Sequence, residues 1–237
     1  MSPRPTILPT TLWDFPSQNY GNRSQGDINF TGATPSYIIW NLVKRYTQKN
    51  DLIVDPFCGS GTTLDVAKDL KRKCRGFDIK PRRQDITKAD AAALPLKAGS
   101  ADLLFLDPPY SDHIHYSGEP ECLGNISAFD SRFYRKFKQI AAECSRVLKK
   151  NKFLTLYICD FFKKKKGFSP TGFKLFKIFS KYFKPIDIIA VTRHNNDLQK
   201  NNFRKAAVEN NFFLRGFNYL FIFKKPRNRK KYCLNNF

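Results

Sequence analysis

The sequence predicts an α/β fold: a mostly parallel sheet of about seven strands, one of them antiparallel, with helices on both faces. Three observations lead there. Short apolar runs end on aspartate, as in Leu52-Ile53-Val54 before Asp55 and Leu103-Leu104-Phe105-Leu106 before Asp107, which is how strands buried on both faces read. Segments of helical period lie between these runs. The last two strand-like segments, 186–191 and 217–223, are joined by polar residues 193–210 without a helical pattern, so one of the two can reverse direction.

In chain order, residues 1–34 are rich in Pro, Gly, Ser, Thr and Asn and read as extended, with 1–30 forming an N-terminal arm. A helix follows over 35–46, with Thr34 as its N-cap and Pro35 at its first position. The strand at 52–54 leads to a helix over 61–70, a strand over 73–78 ending at Asp78, and a short strand near 85–88 before Asp90. After the 103–106 strand, an amphipathic helix runs from about 130 to 149, with Phe133, Phe137, Ile140, Ala141, Cys144, Val147 and Leu148 recurring on one face. A strand over 153–158 and a helix over 171–182 precede the final two strands, and 225–237 reads as a basic tail.

A chain of 237 residues suits one domain with a sizeable core. It carries 42 basic against 20 acidic side chains, a formal net charge of +22. Such an excess repels itself unless a polyanion offsets it, and nucleic acid is the commonest such partner; a solvated, lysine-rich surface gives the same composition. Six scattered cysteines with no Cys-x-x-Cys pair, and only three histidines, argue against a metal site. The start, Met1-Ser2-Pro3-Arg4-Pro5, has no apolar signal core, and no apolar run approaches the ~18 residues of a membrane span. The expected setting is the cytoplasm, with free thiols and no membrane partner.

The chemistry concentrates at the strand ends. Asp55-Pro56-Phe57-Cys58-Gly59-Ser60-Gly61-Thr62-Thr63 joins the first buried strand to its helix. Gly59 and Gly61 allow a sharp turn and close approach of a ligand to the backbone, in front of the free N–H groups of a helix start. No Gly-Lys-Ser/Thr follows and the third glycine of a dinucleotide fingerprint is absent, so the loop alone is equally compatible with a tight turn. Asp78 stands roughly 20 residues on, where an acid can accept from ribose hydroxyls. Asp90-Ala91 can meet an adenine amino group. Each acid alone can equally be a helix cap or a solvated turn; together they read as a nucleoside-binding rim.

The loop followed by Asp107-Pro108-Pro109-Tyr110 resembles the DNA amino-methyltransferase family, over about residues 30 to 223. The resemblance implies a Rossmann-like methyltransferase sheet over 31–224 and S-adenosylmethionine as cofactor. It implies cofactor contacts from Pro35, Asp55, Phe57, Cys58, Gly59, Ser60, Gly61, Thr62, Asp78, Asp90 and Ala91. It also implies a target base held by Asp107, Pro108, Pro109 and Tyr110. An amino nitrogen conjugated to a base ring is a poor nucleophile. The Asp107 carboxylate and Pro108 carbonyl can accept its hydrogens, the prolines fix both acceptors, and Tyr110 can stack on an extruded base. Methylation at cytosine C5 would need a Pro-Cys nucleophile, which the sequence lacks.

Asp at the start of the motif favours adenine N6 over cytosine N4; an RNA base or a catalytically silent nucleic-acid-binding subunit are the other readings. Relatives of this motif order often carry a large recognition domain, for which this chain has no room. Recognition then falls to about 111–129 and 193–216. His113, His115 and Tyr116 can line a base pocket, and Arg193, His194, Lys200, Arg204, Lys205 and Arg215 can meet phosphates or base edges, each being equally at home on a solvated surface. A cognate restriction endonuclease is a possible partner for such an enzyme.

Overall fold

The computed structural model describes residues 4–27, 29–114, 116–194 and 196–227; His115 and the tail from residue 228 lie outside them. Short β1 (Leu12–Trp13) precedes α1 (Ser36–Tyr46), β2 (Leu52–Asp55), α2 (Thr62–Asp69), β3 (Lys73–Asp78), β4 (Ile86–Lys88) and β5 (Ala101–Leu106). The second half runs through α3 (Ser131–Val147), β6 (Leu148–Ile158), a hairpin of β7 (Phe161–Lys163) and β8 (Gly167–Ser169), and α4 (Thr171–Phe179). It ends with β9 (Lys184–Thr192), α5 (Asn196–Gln199), α6 (Asn201–Glu209) and β10 (Phe217–Lys224).

Eight strands form one sheet in the order β1-β9-β10-β6-β5-β2-β3-β4. All neighbours are parallel except β10, which lies antiparallel to both β6 and β9. The eighth strand is the Leu12–Trp13 edge, where the extended N-terminal segment pairs with Ala190–Val191. It carries no apolar alternation of its own, so the sequence reads it only as extended chain.

Alternation along the strands divides the core into two layers. Ile53, Leu103, Phe105, Leu220 and Ile222 face α1 and α2, and pack with Ile38, Leu42 and Val66. Val54, Leu104, Leu106, Phe221 and Phe223 face the other side, against Phe133, Phe137, Ile140 and Cys144 of α3 and Leu175 and Phe179 of α4. The N-terminal segment completes the first layer with Trp13 and Phe15, both buried, and Leu8 N–H donates to the buried Asn41 side chain.

Two local expectations are corrected. The 193–210 connection holds α5 and α6, because Asn201–Glu209 contains enough helix formers to close its turns although only Ala207 is buried. The reversal of β10 therefore follows from its insertion between β6 and β9, with helices in the connection. Thr34 does not cap α1: the helix opens after Pro35 with no side-chain cap, and the Thr34 hydroxyl is engaged elsewhere. The start expected for α3 at about 130 does hold, and there the Asp130 side chain caps the helix by accepting from Arg132 N–H at 2.8 Å.

Among the described residues no helix is long and apolar enough to cross a membrane. Phe137 is fully buried between α3 and the sheet. Phe137→Ala should lower the free energy of unfolding by about 3–5 kcal/mol, measured by urea denaturation; a loss under about 1 kcal/mol would mean that this layer is loosely packed.

Candidate active site

The parallel strands β2, β3 and β5 bring Asp55, Asp78 and Asp107 to one rim of the sheet, and a cleft of about 830 Å³ opens there. That volume lies in the range of sites that enclose small organic ligands.

The loop after β2 is shaped by acids. Asp55 is buried and accepts from Phe57 N–H at 2.9 Å and from the Thr63 hydroxyl at 2.6 Å, tying the loop to the first turn of α2. Burial pushes its carboxyl up to about 7 against those two hydrogen bonds, with the nearby Asp78 charge adding to the rise. Gly59 adopts φ +50° and Gly61 φ +89°, conformations that L side chains rarely take. Gly59 N–H donates to Asp78 at 2.9 Å, and Asp78 also accepts from Lys80 N–H at 2.9 Å, so two backbone bonds fix the plane of this carboxylate. Phe30 lies directly over Gly59, where an added Cβ would meet its ring at 3.0 Å.

At the end of β5, the half-buried Asp107 accepts one hydroxyl on each oxygen, from Thr34 on one and from Tyr110 at 3.1 Å on the other. Burial pushes the Asp107 carboxyl up to about 7, opposed by those hydroxyls and reinforced by Asp55. Thr34 is itself steadied through its carbonyl, which accepts from the Gln18 amide at 2.6 Å. The Tyr110 hydroxyl accepts from Asn218 of β10 at 3.2 Å, and burial keeps it protonated well beyond neutral pH. His113 packs 6.3 Å from the Tyr110 ring, and burial, with Arg193 nearby, lowers its pKa so that the imidazole is neutral at pH 7.

Most of the residues expected from the sequence meet here. Pro35, Asp55, Phe57, Cys58, Gly59 and Ser60 line the cleft, as do Thr62, Asp78, Asp90 and Ala91. So do Asp107, Pro109 and Tyr110, and behind them His113, Tyr116, Arg193 and His194. Two residues expected at the cofactor or the target base do not line it. Gly61 is covered by the Arg83 guanidinium, which a Cβ there would meet at 2.4 Å, and Pro108 serves the turn from behind the cleft wall. Arg83 bridges Asp65 and Asp85 with bonds of 2.7–3.0 Å, which holds it in place over the loop. Lys200, Arg204, Lys205 and Arg215 also lie off the cleft; Lys205 pairs with Glu209 along α6. Cys58 turns its thiol toward Gly76, where a Cβ would meet the sulfur at 2.4 Å, and its pKa is raised by burial, so it packs the loop and offers no nucleophile.

Sequence reasoning missed Thr34, Lys136 and Asn218. Lys136 of α3 pairs with Asp90, whose other oxygen accepts Ala92 N–H at 2.9 Å. Asn218 carried a signal, as a lone amide among the apolar residues of the last strand. Thr34 carried none, since its partner lies 73 residues away.

Residues 6–89 match the model of the N6/N4 methyltransferase family, described as DNA methylase. The chain is 35% identical over 78 residues to the type II methyltransferase M.BglII of Bacillus subtilis, a match covering 33% of this chain and 21% of that protein. It is 46% identical over 54 residues to the type II methyltransferase M2.LlaDCHI of Lactococcus lactis subsp. cremoris, covering 23% of this chain and 20% of that one. The matches thus span about a fifth of the length of these relatives. A SAM-dependent methyltransferase structure from Methanosarcina mazei superposes with a TM-score of 0.51 at 15% identity, over 79% of this chain and 98% of that one, and has the same fold.

The hydroxyl of Thr34 holds the Asp107 carboxyl down against burial. Thr34→Val should therefore move the Asp107 titration above about 7, read from the carboxyl carbon resonance of labelled aspartate. An unchanged midpoint would show that the hydroxyl does not act on this group.

Proposed function

We propose that this chain is a DNA amino-methyltransferase, as its partial likeness to that family over residues 6–89 suggests, and that it transfers a methyl group from S-adenosylmethionine to the exocyclic amino group of a base in DNA, with adenine N6 as the target. The observation that carries this reading is the shared cleft: the Gly59 loop and the Asp107–Tyr110 turn line one cavity, so a methyl donor on the first can face an amino group on the second.

The donor set suits the cofactor. Both oxygens of Asp78 retain a lone pair beyond their backbone bonds, in position to accept from ribose hydroxyls. The buried Ala91 and half-buried Phe57 give an apolar wall for an adenine ring, with Asp90 at its edge, held by Lys136. When bound, the cofactor supplies an electrophilic methyl carbon on a sulfonium; the chain supplies the positioning.

That positioning centres on Asp107. Its carboxylate accepts a hydrogen of the target amino group, which takes the acceptor site now filled by the Thr34 hydroxyl. Drawing on that hydrogen returns lone-pair density to the nitrogen, and the charge gathering there is met by a fixed anion in a desolvated cleft. The Tyr110 hydroxyl, tied between Asp107 and Asn218, fixes the ring against which the base lies, with the neutral His113 beside it. The +22 net charge suits DNA as the polymer, and a solitary enzyme or the modifying half of a restriction pair both accord with the reading.

Labelled S-adenosylmethionine incubated with DNA should yield N6-methyladenine. Label found only in N4-methylcytosine, or only in RNA, would reverse the choice of target. Asp107→Ala should all but abolish transfer, lowering kcat about a hundred- to a thousandfold on the scale of preorganised hydrogen-bonding groups, with little change in cofactor affinity by calorimetry, whereas Asp78→Ala should chiefly weaken cofactor binding. Equal loss of cofactor affinity in both variants would mean that the two roles are misassigned. Because the acceptor is the carboxylate and its pKa is raised to about 7, kcat/KM should fall as pH drops below that value; a profile flat from pH 6 to 8 would rule out ionised Asp107 as the acting form.

A further inference from the structure

The β7–β8 hairpin interrupts the path from β6 to α4 and contributes nothing to the main sheet. Its turn is Lys163-Lys164-Lys165-Lys166, all four exposed, closed by Gly167 at φ +76°. Lys163 reaches Asp112 at 3.5 Å and Lys166 lies over the Phe129 ring, whereas no acid among the described residues pairs with Lys164 or Lys165. The base of the hairpin is fastened on two sides. Phe161 packs 5.5 Å from His113 at the cleft, and Phe162 stacks on Phe212 at 4.8 Å with the planes 11° apart. The hairpin therefore joins the segment after the Asp107 turn to the segment before β10.

Exposed rings accompany the lysines. Phe168 is 52% exposed with the Arg215 guanidinium 5.2 Å above it, and Phe213 is 81% exposed. Rings so exposed add little to the folded core. An apolar protein partner would match the rings but would bury uncompensated ammonium groups. A nucleic-acid strand matches both, since phosphates pair with lysines and base faces stack on aromatic rings.

We propose that the β7–β8 hairpin and the 212–217 segment form a platform that grips the DNA strand flanking the target base, with Lys164 and Lys165 on phosphates and Phe168 and Phe213 stacking on neighbouring bases. The proposal rests on the reading of the cleft as a base-methylating site. Through Phe161 and His113 the platform abuts the cleft wall, so it meets the strand just where a base leaves the stack.

The test compares the full chain with Lys164→Ser/Lys165→Ser and Phe168→Ser/Phe213→Ser, by binding to a defined DNA duplex across a salt series. The lysine variant should lose about tenfold in affinity at 0.15 M salt, with the slope of log K against log salt shallower by about two. The ring variant should lose affinity with an unchanged slope. Both should keep the wild-type cofactor affinity and thermal midpoint, because all four side chains are exposed. Unchanged DNA affinity and slope in both variants would overturn the platform, even if the wild type methylates DNA. Losses confined to single-stranded RNA of the same sequence would overturn DNA as its occupant. A wild type that binds DNA in this hairpin-dependent way but transfers no methyl group would overturn the reading of the cleft and leave the platform standing.

Discussion

Desolvated carboxylates at the carboxyl ends of parallel strands are the constraint on which this site is built. Asp55 and Asp107 sit in one cleft, and burial pushes each up to about 7, with the Asp78 charge adding to the rise at Asp55 and the Asp55 charge to that at Asp107. Neither can stay there without donors. Asp55 takes them from the loop and helix it organises, Phe57 N–H and Thr63. Asp107 takes them from two distant parts of the chain, Thr34 ahead of α1 and Tyr110 beyond β5. The need to satisfy buried acids thus fastens the N-terminal segment, the glycine loop and the Pro-Pro turn around one space.

Much of this was readable in the chain because it rests on local physics. β3 is bounded by the sequence pattern residue for residue, since Lys73–Asp78 combines an alternating run with a terminal acid. The acids past β2, β3 and β5, and the glycines with positive φ between them, are set by strand-to-helix turn chemistry over a few residues. What escaped depends on distance. The edge strand β1 exists because β9 offers an unpaired side to an extended segment. The Thr34–Asp107 bond links residues 73 positions apart, and nothing near Thr34 distinguishes a cap from a remote donor. α5 and α6 were obscured for a different reason: largely exposed, they lack the apolar stripe by which helices are found.

The N-terminal segment acts as a strap across the layer that holds α1 and α2. Trp13 and Phe15 enter the core beside α1, Tyr20 donates to Asp69 of α2, and Gly26 N–H donates to Asp65, close enough to Ser60 and Thr62 that a Cβ at Gly26 would collide with their hydroxyls. Asp65 is shared with Arg83, which covers Gly61. The strap, the loop and the β3–β4 connection therefore converge on one carboxylate behind the cleft, and the floor of the cavity is made rigid from outside.

The placement of β10 has an implication for how the molecule is made. This strand, built from residues 217–224, sits inside the sheet, with β6 on one flank and β9 on the other. Until it emerges during synthesis, β6 and β9 each present an open hydrogen-bonding edge, and the apolar residues meant to meet Phe221 and Phe223 stay wet. The strand between them is translated after both of its neighbours, so a growing chain carries two adhesive borders from the completion of β9 until β10 arrives. A cell that makes this protein gains from speed over the stretch between β9 and β10, or from a chaperone that shields the two borders until then.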